Sequence, residues 1–344
     1  MSFLMNRHTL TVASLCGLLL MLVFISYAVD VRVFTRIATT LCINVVMVVG
    51  LQSFMGNTGI LSFAHIGFMG VGAYTSALLT IPAQMRGMAL PDLYPFMEGL
   101  SASPILAIFL GGIVAAVIAA AVSYPLMRLS DAAAVITSFA LLVVLHTVML
   151  HWSEVTNGPR TLFGLPAITS LPLTAIVAAG AIAVALMFKE SRLGILARAT
   201  RDDETAARAM GINTPRVRWL AFILSALLAG IGGGLWGHFV GSFSPKAFYL
   251  KETFVILGML VIGGPGTITG AVLGVFIVTA AFESLRTLEV VLNSAQIFSG
   301  QVVGVTEIVL AFSMIAVLAL RPGGLVPTRE IGDAIVGLIR KRKG

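Results

Sequence analysis

Residues 188–219, FKESRLGILARATRDDETAARAMGINTPRVRW, are the one long polar segment lying between two apolar runs that are each long enough to cross a bilayer. The block holds Lys189, Arg192, Arg198, Arg201, Arg208, Arg216 and Arg218, with Glu190, Asp202, Asp203 and Glu204 among them. An ionised side chain at mid-depth in hydrocarbon costs about 2.5–3.5 kcal/mol or more, so the block belongs in water and the flanking runs belong in lipid. Its cationic excess assigns it to the cytoplasmic side.

The rest of the chain agrees with a membrane setting. Of the 344 residues 58% are hydrophobic and 11% charged, and the mean hydropathy is +1.00. Soluble domains carry about 25% charged residues. The expected fold is therefore all-α, a polytopic bundle of about ten transmembrane helices, with residues 1–344 as a single transmembrane domain. The sequence pI near 9.8 reflects loop charge facing anionic lipid and does not indicate nucleic-acid binding. Cys16 and Cys42 fall inside apolar runs and read as small apolar side chains.

Within the block, residues 194–211 read as a short helix pair or as one long helix with a capped end. Arg198/Asp202 and Glu204/Arg208 are spaced i,i+4 and would each share a helical face. Asp202, Asp203 and Glu204 fit a helix start, and Gly211 with Ile212 and Asn213 fits a stop. Ala199, Ala206, Ala207 and Met210 supply a shallow apolar stripe. Two readings follow from this pattern: a helix that docks into a groove on another protein, or a solvated connection between spans.

The run Glu204-Thr-Ala-Ala-Arg-Ala-Met-Gly211-Ile-Asn213 resembles the cytoplasmic loop of permease subunits in ATP-binding-cassette (ABC) importers. It is most similar to the LivM-type permeases of the branched-chain (hydrophobic) amino acid and amide branch. The general importer version has Glu-Ala-Ala, three residues, then Gly. Here Thr205-Ala206-Ala207 precedes three residues and Gly211, with the acid one place earlier at Glu204, as is usual in that branch. The resemblance implies that residues 189–218 form a coupling loop. Arg201, Asp202, Glu204, Ala206, Ala207 and Gly211 are the residues it would bring to an ATPase subunit.

Further along, Gly56-Asn-Thr-Gly59-Ile-Leu-Ser62-Phe-Ala-His65 leads into a glycine-rich helix with Gly67, Gly70 and Tyr74, again similar to that family. Ser62, His65 and Tyr74 are polar groups in or beside a span. They fit either a translocation path or hydrogen bonds between helices. Thr156-Asn157-Gly158 stands where the family has Thr-Gly-Gly, and Asp131-Ala-Ala-Ala134 stands where members often have a Gly and an aromatic. Arg321-Pro322 with Gly324-Leu325 resembles the family's ending.

Spans are expected at residues 10–29, 37–54, 104–127, 132–152, 172–188, 220–240, 267–282 and 302–320, with the glycine-rich helix near 67–77 between the second and third. The first could be a cleaved signal, but its apolar run exceeds the ~7–15 residues of a signal core and favours a retained span. The run at 254–262, ending in Gly263-Gly-Pro-Gly266, is short against a lower limit of about 17 residues, so an earlier start, burial in the bundle and re-entry all remain open. The segment beginning at Gly263 also aligns with the one beginning at Gly56, through Gly59/Gly266, Ala64/Ala271, Gly67/Gly274, Val71/Val278 and Ala73/Ala280, a candidate internal repeat.

With an internal N-terminus and ten crossings, Arg32, Arg36, Arg86, Arg160, Lys246, Lys251 and Arg286 fall outside and the other fifteen of the 22 basic residues inside. That bias places both termini in the cytoplasm of a multi-pass protein in the cytoplasmic (inner) membrane. In the tail, residues 321–344, Ile331, Ile335, Leu338 and Ile339 share a helical face ahead of the basic cluster at 340–343, as an interfacial helix would.

No Gly-x-x-x-x-Gly-Lys-Ser/Thr loop occurs, so ATP and Mg are expected on partner subunits and no cofactor on this chain. No catalytic or metal-binding motif is present. His146, His151 and Glu154 read as interface anchoring rather than as a metal set. The family resemblance implies a second, LivH-type permease, two ABC ATPase subunits and an extracytoplasmic substrate-binding protein. The implied cargo is a branched-chain or other hydrophobic amino acid, or a related amide, urea or small organic acid. A proton-coupled carrier using Glu307 and His65 is the alternative.

Overall fold

The structure is a computed structural model and describes residues 7–129, 131–294, 304–321, 323–328, 330–333 and 336. The expected turn residue Ser130, the start of the last span at 302, Pro322, Arg329, and Ile335, Leu338, Ile339 and the cluster at 340–343 lie outside the described residues. Fifteen α-helices follow in chain order: α1 Arg7–Val29, α2 Arg32–Thr58, α3 His65–Thr80, α4 Ala83–Ala89, α5 Pro95–Glu98, α6 Pro104–Ser123, α7 Asp131–His151, α8 Ser153–Thr156, α9 Leu171–Glu190, α10 Arg192–Asp202, α11 Glu204–Ala209, α12 Thr214–Val240, α13 Leu250–Gly263, α14 Ile268–Ser294 and α15 Val305–Leu320. Among the described residues there is no strand, only an isolated antiparallel bridge between Leu162 and Phe243.

Seven of the described helices, α1, α2, α6, α7, α9, α12 and α14, are long and apolar enough to cross a membrane. The shorter α3, α13 and α15 complete the ten apolar helices expected. Helix α13 starts earlier than the apolar run at 254–262, at Leu250, and has 14 residues, about 21 Å at 1.5 Å per residue. It begins beside His146 in the last third of α7, whose ring stacks on Tyr249 at 4.2 Å, and ends on the turn that meets Gly56. Those contacts lie toward opposite ends of the bundle. The helix is therefore not re-entrant, and the chain after α15 returns to the end that carries the charged block.

At the centre stands α12, packed against α2, α3 and α6. Its glycines let backbones touch. A Cβ at Gly72 would run into the Gly230 carbonyl, one at Gly233 into the Met69 carbonyl, and one at Gly111 would lie 2.6 Å from the Gly72 oxygen. In lipid, where tails are as apolar as Leu, such close approach is what drives helices together. The α13–α14 hairpin repeats the device, since a Cβ at Gly263 would meet the Gly270 carbonyl and one at Gly274 the Met259 carbonyl. The two segments aligned in sequence, at Gly56 and Gly263, both form helix–turn–helix units. Their turns abut, Gln52 Nε2 donating to Pro265 O at 3.2 Å.

At the end opposite the block, residues 81–103 fold around Arg86, which is 6% exposed. Its guanidinium donates to the carbonyls of Leu78, Ile81, Met97, Glu98 and Leu100. A buried cation is tolerated here because both of its terminal nitrogens reach carbonyls at helix ends or turns, although Nε finds no partner among the described residues.

Gly72→Ala and Gly233→Ala are expected to lower the melting temperature of the detergent-purified protein sharply, since overpacking costs about 1–3 kcal/mol or more where backbone cannot yield. Gly180→Ala, where an added Cβ meets nothing within 4 Å, should leave it unchanged.

Candidate coupling site

The charged block folds as two helices set at a corner. Gly194 sits where α9 turns into α10, and a Cβ there would strike the Phe188 carbonyl. Ser191 caps α10, its hydroxyl accepting from Gly194 N at 3.3 Å. Asp203 then leaves helical geometry, with φ −156° and ψ 106°, and its carboxylate accepts from Ala206 N at 2.9 Å to start α11. Gly211, at φ +83°, supplies the left-handed stop. Asn213 caps α12 by accepting from Arg216 N at 3.1 Å. Of the two alternatives left open by the sequence, the helix pair is the one formed.

The pair is tied to the bundle by cations that reach helix ends. Arg201 donates to Gly56 O at 2.7 Å, and Arg198 donates to Lys189 O at 2.6 Å and to Asn57 Oδ1 at 3.4 Å. Glu204 sits between two arginines, 2.7 Å from Arg218 and 2.5 Å from Arg208. Arg218 is 3% exposed and also donates to Leu129 O at 3.4 Å. Burial pushes the Glu204 carboxyl up, but Arg218 and Arg208 outweigh it and hold the group below its ordinary value. A cavity of about 790 Å³ opens beside this cluster, lined by Thr58, Gly59, Val135, Asp202 and Arg208 among others.

The expected Glu204/Arg208 pair is formed. The expected Arg198/Asp202 pair is not: Arg198 turns back to α9, and Asp202 pairs with Arg201 at 3.1 Å. A helix terminus offers carbonyls without intrahelical partners, and Arg198 takes one of those instead. Ala206 and Gly211 face solvent with Thr205, Ala209 and Met210, the last 83% exposed. Ala207, at 5%, faces the bundle. Arg218, Lys189 and Glu330 also hold this region together. A buried arginine at the head of an apolar run was a visible signal for Arg218, whereas nothing local marks Glu330.

Ser62, His65 and Tyr74 are all buried in the protein interior. Ser62 lies in the non-helical link between α2 and α3, and His65 is the first residue of α3. His65 Nε2 lies 2.5 Å from Ser225 Oγ, whose single hydrogen goes to Gly50 O at 2.6 Å. The imidazole must therefore donate from Nε2, leaving Nδ1 as an unpartnered acceptor. His65 thus joins α3, α12 and α2 at their closest crossing. Tyr74 packs edge-on against Phe243 and Phe248, its hydroxyl without a protein partner.

Glu204→Gln is expected to destabilise the protein at pH 7 by about 1–3 kcal/mol, below the ~3–5 of a fully dry pair because the Glu204 side chain is 21% exposed. A carboxylate held below its ordinary value stabilises above about pH 4.3 and loses that contribution as pH falls through its folded value. The difference in melting temperature between the two proteins should therefore be present at pH 7 and should close only as the pH falls below about 4.3. A constant difference would contradict the ion-pair role.

The pattern of the family described as "Branched-chain amino acid transport system / permease component" matches residues 33–318. The chain is 25% identical over 325 residues to the high-affinity branched-chain amino acid transport system permease protein LivM of Salmonella typhimurium, covering 85% of this chain and 69% of that one. It is also 34% identical over 100 residues to the corresponding LivH of the same organism, covering 29% of this chain and 32% of that one. A nucleoside ABC transporter permease, NupC of Lactococcus lactis, is 28% identical over 149 residues, 43% of each chain. No solved structure matches. With 286 consecutive positions matched, on a bundle of apolar helices with one charged helical corner, the chain belongs to the branched-chain amino acid transport permease family, as a multi-pass membrane subunit of an ABC importer.

Proposed function

We propose that this chain pairs with a second, LivH-type permease, and that one of two ABC ATPase subunits docks on its α10–α11 corner from the cytoplasm. The observation that carries this reading is the solvent-facing surface of α11. Thr205, Ala206, Ala209 and Met210 present a small, apolar, shallow face on a helix that arginines fix rigidly to α2 and α12. A short helix held this way transmits movement as a solid part, whereas a solvated connection would need no such bracing. ATP and Mg would be bound by the ATPase subunits, and their closure would swing the corner and switch the bundle between access states.

On this reading both termini and the charged block lie in the cytoplasm, and the Arg86 loop faces the extracytoplasmic substrate-binding protein. The proposed cargo is a branched-chain or other hydrophobic amino acid, with amides, urea and small organic acids as the wider class. The similarity to a nucleoside permease supports keeping the receptor, rather than this chain, as the main selector.

The proton-coupled alternative finds little support. Glu307 pairs with Lys251 at 2.8 Å at the end away from the block, while His65 sits near the block end with its Nε2 proton committed to Ser225. A coupled carrier would need the two groups joined by a polar path.

Ala206→Arg combined with Met210→Glu changes only exposed side chains. Co-purification with the ATPase and permease subunits encoded beside this chain should show ATPase recovery falling at least about tenfold, a loss of about 1.4 kcal/mol, with the partner permease retained. Receptor-dependent uptake of leucine by the unaltered complex should persist when the proton gradient is collapsed. Undiminished ATPase recovery would remove the docking assignment, and uptake abolished by a protonophore would favour the carrier.

A further inference from the structure

The strongest polar junction outside the α10–α11 corner lies where the segment after α15 crosses the block end of the bundle. Leu325 N donates to Ile262 O and Val326 N to Gly263 O, both at 3.0 Å, and Thr267 Oγ1 donates to Val326 O at 2.6 Å. The strand-like strap so formed delivers Glu330 to the first turn of α14. There its carboxylate accepts from Ile268 N at 3.0 Å, Thr269 N at 2.9 Å and Thr269 Oγ1 at 2.6 Å. It acts as the N-cap of a helix that begins 62 residues earlier in the chain.

The same carboxylate lies 2.5 Å from Lys189 Nζ, which also donates to Gly266 O at 3.1 Å. Glu330 and Lys189 are 8% and 9% exposed. Burial pushes the Glu330 carboxyl up, and Lys189 and Thr269 more than reverse it.

Lys189 occupies the last turn of α9, immediately before the corner, and its own carbonyl takes the hydrogen bond from Arg198 of α10. The corner thus has separate fastenings to the bundle. Arg201 reaches α2, and Glu204 with Arg218 reaches α12 and the turn before α7. The α13–α14 hairpin, which otherwise meets α9 only sparsely, is reached through Lys189.

We infer that Lys189 and Glu330 are a positioning pair for energy coupling, fastening the root of the α10–α11 corner to the α13–α14 hairpin so that displacement of the first carries the second. This rests on the proposed docking of an ATPase at the corner. Without the pair, the corner would still move α2 and α12 and would reach the hairpin only through its packing on α2, so the hairpin would follow less closely.

The test uses the full transporter reconstituted in liposomes with its receptor, reading ATP hydrolysis and leucine uptake together. Lys189→Met or Glu330→Gln alone leaves one buried group uncompensated, and each is expected to lower yield and thermal stability. The double variant Lys189→Met/Glu330→Gln removes both charges and keeps both volumes, so stability and ATPase co-purification should largely return. Its uptake per ATP hydrolysed should nevertheless stay depressed by roughly tenfold, within the ~5–150-fold range of ordinary coupling free energies. Thr269→Val, which removes two hydrogen bonds, one donated to Glu330 and one accepted from Ile331 N, and no charge, should fall between. A double variant that is stable and couples like the wild type would reduce the pair to a structural role and overturn the inference. Failure of the wild-type chain to hold any ATPase would instead overturn the docking reading on which it rests.

Discussion

A helix in hydrocarbon satisfies its own backbone everywhere except at its ends, where the last four carbonyls have no intrahelical partner. In this protein those ends gather at two surfaces, and at both the chain places cations on them, Lys189, Arg218 and Arg86 buried, Arg198 half-buried and Arg201 exposed. Arg201 takes the carbonyl of Gly56, Arg198 that of Lys189, Arg218 that of Leu129, and Lys189 that of Gly266. Arg86 does the same for five carbonyls at the far end. Each cation lies against the negative end of a helix or turn, which lowers the cost of burying it. The basic character of the charged block is therefore structural as well as topological. The residues whose positive charge argues for a cytoplasmic face also lock the helices together.

Between those two surfaces, cohesion comes from shape. The α12 crossing with α3 and α6 is made by glycines, with no side chain between the backbones at Gly72, Gly230 and Gly233. The polar stitches there include the chain from His65 through Ser225 to Gly50 and the Trp219 indole donating to Ala120 O at 3.0 Å. The first of these ties His65 of α3 to α12 and, through Ser225, to α2.

Much of this was legible in advance. Hydropathy placed most of the long helices to within about six residues, but α14 runs on to Ser294 where the expected span stopped at 282. Asp203 and Gly211 marked the limits of α11 because capping chemistry is local and depends on residue type. The short run before Gly263 was ambiguous because the charged Lys251 and Glu252 stand just ahead of it and hide the helix start at Leu250 from a hydropathy reading. What periodicity could not show was any choice made at a distance. Arg198 abandoned its i,i+4 partner for a carbonyl nine residues back, and Ala207 turned inward while its neighbour Ala206 stayed out. Glu330 pairs across 141 positions, and no local spacing predicts that.

The cap on α14 also has a consequence for how the protein is made. Chains emerge from the ribosome at about 5–20 residues per second, N-terminal part first. The Ile268 and Thr269 amides, and the Lys189 ammonium before them, are synthesised well ahead of the carboxylate that satisfies them. For several seconds the nascent hairpin holds a cation and two bare N–H groups at the membrane surface, where water or lipid headgroups must serve in the carboxylate's place. The second half of the bundle is thus sealed last, by a residue that arrives after its helices have entered the bilayer.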